Sequence, residues 1–275
     1  MTYREAYEKG KRLIDSDEAS NEALILLEYL MNTERSDLFS HPEREVDEET
    51  FLKFAGLIDR RNSGEPVQYI TGKTYFFGLE FYCNRNVLIP RFDTEILVEE
   101  AIKRSPKGAK VLDLCTGSGI IALCVKHERE DLSVTGSDIS EDALKVASKN
   151  KDNLSLDVSF VQSDMFENID SGYDVLLSNP PYIRKEVIEG LDVKVKDYEP
   201  YSALCGGEDG LDFYRIIAEE SRKIMKNNSL LIVEIGFDQG EEVKELFMEN
   251  GFDDIEIIKD LNGLNRVVVA HLKQG

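Results

Sequence analysis

Residues 173–183 read YDVLLSNPPYI, an apolar run that ends in Asn179, Pro180, Pro181 and Tyr182. These residue types suit one kind of chemistry, the holding of a weakly nucleophilic nitrogen. An amide nitrogen shares its lone pair with its carbonyl, and a peptide rotation barrier of ~18–20 kcal/mol measures that delocalisation. To accept a methyl group, the nitrogen must lie in line with the methyl carbon and keep its lone pair aimed there. Two hydrogen-bond acceptors on its N–H groups would do both. The Asn179 side-chain oxygen is one candidate. The Pro180 carbonyl is the other, on a backbone that prolines stiffen. Tyr182 can pack on the planar group or seal the pocket. The requirement is positioning, without a general base. An ordinary Asn-Pro turn followed by a core tyrosine would also explain the segment taken alone.

A second segment changes that balance. VLDLCTGSGIIAL, residues 111–123, reads as an apolar strand, a turn of small residues and an apolar helix. Gly117 and Gly119 allow a backbone to pass close to a ligand. The next apolar strand ends at Asp138. An ionised carboxylate has only acceptors and can take both hydroxyl protons of a ribose, the nucleoside arrangement of doubly wound sheets. The turn lacks a full G-x-G-x-x-G and a Walker lysine. It also opens on Asp113, which disfavours a pyrophosphate and tolerates a sulfonium cofactor bearing an ammonium group. The plainer reading of Asp138 or Ser140 is a cap for the following helix. The loop and the spaced aspartate together favour a nucleoside cofactor.

Elements must bring these segments together. Candidate strands at 110–114, 132–137, 158–162, 173–178 and 229–235 alternate with helical patterns at 119–128, 140–150 and 211–226. Such alternation predicts an α/β fold with a parallel sheet covered on both faces. DDIEIIKDL and NRVVVA flank Asn262-Gly263, which predicts an antiparallel hairpin at the end. Upstream, Ala23, Leu27, Leu30 and Met31 recur at helical spacing, as do Phe51, Phe54, Ala55 and Ile58. The plain reading of both stripes is core. The predicted organisation is a small helical domain over 1–65, a β-hairpin linker rich in aromatics over 66–92, and a catalytic domain over 93–275.

The chain of 275 residues carries a formal net charge of -21, which repels phosphate backbones and suits a basic protein partner better than nucleic acid. Four cysteines form no C-x-x-C pair, and three scattered histidines sit in no metal motif, so no metal site is expected. The N-terminus is too polar for a signal peptide, and no apolar run is long enough for a bilayer, so a soluble, cytoplasmic setting without membrane contact is expected.

Several segments together resemble the HemK/PrmC family of release-factor glutamine methyltransferases. They are RRNSGEPVQYITG, LIPRFDTEILVE, DLCTGSGIIAL, SNPPYI, EPYSALCGGEDGLDFYRII and VEIGFDQGEEV, and they cover nearly the whole chain. The Asn-Pro-Pro-Tyr motif alone is shared with methyltransferases acting on nucleic-acid bases; the combination is more specific. The resemblance implies a class I S-adenosylmethionine-dependent methyltransferase domain, Rossmann-like, behind a helical substrate-binding domain. It implies S-adenosyl-L-methionine as cofactor and the glutamine of the Gly-Gly-Gln loop in peptide chain release factors as substrate. By position it assigns Cys115, Thr116, Gly117, Ser118 and Gly119 to the cofactor loop, Asp138 to the ribose and Met165 to the adenine. It places Asn179 at the reacting centre, in contact with the cofactor as well, gives the catalytic roles to Asn179, Pro180 and Tyr182, and sets Asn179, Pro180, Pro181 and Tyr182 on the substrate glutamine. Cys115 stands in place of a usual glycine, Phe92 in place of a proline, and Met165 where an aromatic is frequent. The rivals are a ribosomal-protein glutamine methyltransferase, a base amino-methyltransferase and a non-catalytic binding module.

Overall fold

The computed structural model describes residues 1–273. In chain order the helices and strands begin with α1 (Tyr3–Leu13), α2 (Ala19–Met31), α3 (Arg35–Ser40), α4 (Glu48–Asn62) and α5 (Val67–Thr71). A hairpin of β1 (Lys73–Phe76) and β2 (Leu79–Tyr82) leads to α6 (Glu95–Arg104). Then follow β3 (Lys110–Leu114), α7 (Ile120–Glu128), β4 (Ser133–Asp138), α8 (Glu141–Leu154), β5 (Val158–Gln162) and β6 (Tyr173–Ser178). The short turns α9 (Lys185–Ile188) and α10 (Val193–Lys196) precede α11 (Asp212–Glu220), β7 (Met225–Glu234), α12 (Gly240–Glu249), β8 (Phe252–Lys259) and β9 (Asn265–Leu272). Among the described residues no helix is long and apolar enough to cross a membrane.

The chain divides into two compact units. One comprises Met1–Lys73 together with Asp192–Tyr198. Two of its helices, α1 and α4, start where a side chain takes up a free N–H group. Thr2 and Glu5 form a capping box on α1, and Asp47 accepts from Thr50 N at 2.7 Å to start α4. The core stripe is Ala23, Leu24, Leu26 and Leu27 from α2 with Phe54 and Ile58 from α4. A Cβ on Gly10 would lie 2.4 Å from the Phe54 ring, so glycine lets α1 and α4 approach. The segment 192–198 belongs to this unit: Lys194 Nζ reaches Glu22 Oε1 at 3.1 Å, and the Tyr198 hydroxyl donates to the Ser63 carbonyl at 3.0 Å.

The other unit, Thr74–Leu191 with Glu199–Gly275, holds a seven-stranded sheet in the order β5-β4-β3-β6-β7-β9-β8. The pairings from β5 to β7 are parallel, and β7-β9 and β9-β8 are antiparallel. The expected parallel sheet with an antiparallel end is therefore what forms. Alternate strand residues serve different faces. Val111, Val134, Val175 and Ile232 pack with α6 and α7, whereas Leu112, Leu176, Leu231 and Val268 pack with α11 and α12. Burial on both faces explains why these strands read as continuous apolar runs.

Two boundaries differ from the expectation. The helical pattern over 211–226 gives a helix only to Glu220, then a 3-10 turn, with β7 starting at Met225. Ile224 and Met225 pack in the same cluster as Tyr214 and Ile217, so apolar spacing runs on after the helix has stopped. β7 starts earlier than 229 because Met225 already pairs with Tyr173, ahead of a register shift. The exposed Lys226, Asn227 and Asn228 hide that start in the sequence.

Candidate active site

Register brings the chemistry-bearing residues to one edge. Leu114 is level with both Ser137 and Ser178, and Ser178 is level with Val233. The next residue along each strand, Cys115, Asp138, Asn179 and Glu234, therefore emerges at the same carboxyl edge, where open α/β sheets bind ligands. Two cross-links fix the edge: Ser178 Oγ donates to the Leu114 carbonyl at 2.8 Å, and Thr116 N–H donates to the Ser137 carbonyl at 2.8 Å.

The turn after β3 is braced from beneath. Asp113, fully buried, accepts from Thr116 Oγ1 at 2.5 Å and from Ala122 N–H at 3.2 Å through one oxygen. Its other oxygen is buried without a partner. Burial pushes this carboxyl up to about 7, against the two hydrogen bonds. Gly117 and Gly119 differ in what their missing Cβ leaves room for. Nothing lies within 4 Å of the Gly117 position, whereas a Cβ on Gly119 would meet Ala147, Leu123 and Phe160 at 3.1–3.2 Å. Gly119 is thus required by packing as well as by its φ of 83°, and the open side of the turn is at Gly117. Cys115 sits at φ 62°, the left-handed region that favours glycine and that costs an L-residue roughly 1–2 kcal/mol. Its side chain packs against the apolar cluster on the α11 face, and burial raises its thiol pKa.

Asp138 does more than cap a helix. Ser140 supplies the cap of α8, accepting from Ala143 N–H at 3.1 Å. Asp138 accepts Gly117 N–H on one oxygen and Ser140 N–H on the other, both at 2.9 Å, which fixes the carboxylate beside the turn. Each oxygen keeps a further lone pair. Burial raises its pKa, and these N–H groups oppose the rise. Met165 follows β5, tied to this corner by Ser163, whose N–H donates to the Asp138 carbonyl at 3.0 Å and whose hydroxyl donates to the Met165 carbonyl at 2.9 Å.

After β6, Pro180 and Pro181 are buried and Asn179 and Tyr182 half-buried. Asn179 Nδ2 donates to Thr94 Oγ1 at 3.3 Å, which leaves its carboxamide oxygen to accept. The Tyr182 hydroxyl donates to Glu234 Oε1 at 3.3 Å, and Gln239 Nε2 holds the Tyr182 carbonyl at 3.1 Å. The Gly-rich segment at 206–210 lies directly on this loop. A Cβ on Gly206 would stand 2.7 Å from Tyr182 Cα, and one on Gly210 would stand 2.4 Å from the Tyr182 carbonyl oxygen.

Thr94, Glu234, Gln239 and Asn150 are site residues that motif reading did not single out. Asn150 links the turn to the hairpin, donating to the Ser118 carbonyl at 2.9 Å and exchanging hydrogen bonds with the Tyr82 backbone at 2.7 and 3.0 Å. Thr94, Glu234 and Gln239 lie inside segments that carry the family resemblance, which was the one signal for them.

Two family patterns match the chain: the PrmC N-terminal domain over residues 5–72 and the methyltransferase small domain over residues 91–193. A release factor glutamine methyltransferase of Clostridium acetobutylicum is 43% identical over 253 residues, covering 90% of this chain and 89% of its own. One of Bacillus subtilis is 38% identical over 269 residues, covering 94% and 93%. A methyltransferase structure from Pyrococcus furiosus shares the fold, with TM-score 0.57 at 17% identity over 72% of this chain and 91% of that one.

Proposed function

This chain belongs to the family of release factor glutamine methyltransferases, and we propose that it methylates the side-chain amide nitrogen of the glutamine in the Gly-Gly-Gln loop of peptide chain release factors. The observation that carries the reading is the shared edge. Asn179, whose carboxamide oxygen is left to accept, stands beside a braced turn and a carboxylate held by two backbone N–H groups.

The residues fit S-adenosylmethionine. The turn is open at Gly117, and Asp113 keeps a buried oxygen without a partner, an acceptor suited to the field of a cationic group. The Asp138 lone pairs would take the ribose hydroxyls, with Cys115–Gly119 and Met165 lining the rest. When bound, the cofactor supplies an electrophilic methyl group on its sulfonium. The remaining work falls to the chain. The Asn179 oxygen and the Pro180 carbonyl accept the two N–H groups of the glutamine amide and hold its nitrogen in line. Tyr182, anchored at its hydroxyl and its carbonyl, walls the amide plane. The amide proton departs to solvent after transfer.

Asp138→Ala should weaken S-adenosylmethionine binding about tenfold or more, since hydrogen bonds to a charged group contribute roughly 1.5–3 kcal/mol each. Calorimetry on the folded variant checks this. Unchanged affinity would reduce Asp138 to a brace for the turn.

The formal net charge of -21 supports a basic protein partner over nucleic acid. The helical unit exposes Leu13, Tyr29, Phe39 and Leu52, which supports a role in gripping the substrate protein. The deciding experiment incubates the chain with labelled S-adenosylmethionine and, separately, intact release factor, a ribosomal-protein fraction and DNA, and locates the methyl group by mass spectrometry. Label on the Gly-Gly-Gln glutamine supports the reading. Label on ribosomal protein or DNA, with none on release factor, overturns it.

A further inference from the structure

Glu234 is a buried carboxyl to which the mechanism above gives only the anchoring of the Tyr182 hydroxyl. It ends β7, one residue beyond the Val233–Ser178 pairing, so it stands level with Asn179. It is 1% exposed. One carboxyl oxygen accepts from the Tyr182 hydroxyl, and the other is buried without a hydrogen-bond partner. The Thr94 hydroxyl, itself 1% exposed, is among the groups that stabilise the charge of this carboxyl, although no hydrogen bond joins the two in this structure. Thr94 Oγ1 is also the atom to which Asn179 Nδ2 donates.

We propose that Glu234 is a positioning residue that fixes, through Thr94, which end of the Asn179 carboxamide meets the substrate. This rests on the methyl-transfer reading above. An ionised carboxylate can only accept. A Thr94 hydroxyl turned towards it spends its single proton there and offers its lone pairs to Asn179. Asn179 must then present its NH2 group to Thr94, and its oxygen faces the other way, towards the substrate N–H. Reversing any one of these donors turns Asn179 round and sets a donor against the glutamine amide, which also donates.

The charged and titratable groups around Glu234 fit this role. Arg266 from β9 favours the ionised form, Asp93 from the turn before α6 opposes it, and Tyr182 from the reaction loop donates to it. The Tyr214 hydroxyl from α11 donates to the Glu234 backbone carbonyl at 2.8 Å. Burial pushes the carboxyl up to about 7 against Thr94, Arg266 and Tyr182. A protonated Glu234 can donate to Thr94 and reverse the chain of donors. The competent form is therefore lost as pH falls through about 7.

The test uses the full-length enzyme with intact release factor, and compares wild type, Glu234→Gln, Thr94→Val and the double variant. Glutamine keeps the volume but brings an NH2 group that can donate to Thr94. The expected result for Glu234→Gln is a turnover about tenfold lower, with KM for release factor and affinity for S-adenosylmethionine within about twofold of wild type. Thr94→Val should behave alike, and the double variant should be no worse than the poorer single variant. Wild-type turnover should rise with pH through about 7, and Glu234→Gln should lack that limb. Asp113, also near 7, would act through cofactor affinity and would survive the substitution. In the free enzyme, the Asn179 side-chain amide NMR signals should shift with pH through the same range, in wild type only.

Near-normal turnover in folded Glu234→Gln, additive losses, or Asn179 signals that ignore pH overturn the proposal. Should Glu234→Gln fail to fold, Thr94→Val decides, and unchanged turnover there overturns it. A wild type that leaves release factor unmethylated defeats the functional reading instead, while the NMR titration still reports on the relay.

Discussion

Replacing Asn179 with alanine should lower turnover on release factor about 100- to 1,000-fold, the range for removing one preorganised polar group at a reacting centre, ~2.7–4 kcal/mol. Cofactor affinity should stay within a few-fold. Asn179 belongs to the reaction loop and not to the turn after β3, and its side chain donates to Thr94 rather than to any residue of that turn. Its oxygen acts where geometry matters most, on a nitrogen whose lone pair must be aimed during transfer. Stability should change little, because Asn179 is only half-buried and Thr94 keeps Glu234 as a neighbour. Single-turnover rates with saturating cofactor separate this loss from binding, and calorimetry checks the affinity. Near-normal turnover in the variant would mean that the amide is aligned by other groups and that the acceptor pair is misassigned.

The sheet and the two motifs were legible in the sequence for reasons of burial and steric need. β3 and β6 are covered on both faces, so VLDL and YDVLLS admit few polar residues. The turn after β3 takes positive φ at Gly117 and Gly119, is tightly packed at Gly119, and holds a left-handed position at Cys115 although a cysteine stands there. The groups that orient the motif residues were not legible by spacing. Asn179 finds Thr94 across 85 positions, Tyr182 finds Glu234 across 52, and Tyr82 finds Asn150 across 68. Glu234 is a single polar side chain that ends an apolar run, and Thr94 and Asn150 are each one polar residue among several. No local period marks a contact made by the return of distant strands to one edge. The segment 192–198 was hidden in the same way, since Lys194 meets Glu22 across 172 positions.

That last contact leads to a large stability effect in the helical unit. Glu22 is buried on α2 and takes Arg61 from α4 in two hydrogen bonds, 2.6 and 3.1 Å, with Lys194 as a third donor at 3.1 Å. Burial raises the Glu22 pKa, and the Arg61 and Lys194 hydrogen bonds outweigh it, so the folded value lies below the ordinary one. The stability that it lends is therefore present above the ordinary carboxylate range and is lost as pH falls through the lowered value. Glu22→Ala removes the one anion between two cations and leaves the Arg61 guanidinium buried beside a cavity. The cost should be about 3–5 kcal/mol, the range for breaking a buried pair from one side, read by denaturant unfolding of the full chain. A change below ~1 kcal/mol would place the cluster with surface ion pairs, whose removal matters little. If the helical unit grips the release factor, the loosened variant should show a raised KM for intact release factor, with S-adenosylmethionine affinity and the slow methylation of a free Gly-Gly-Gln peptide unchanged. The reason is entropic: a second contact raises the effective concentration of the glutamine at the site, whereas a free peptide must be ordered by the reaction loop alone. An equal loss on peptide and on release factor would instead place the damage at the catalytic edge, through the chain that runs from Tyr182 into residues 192–198.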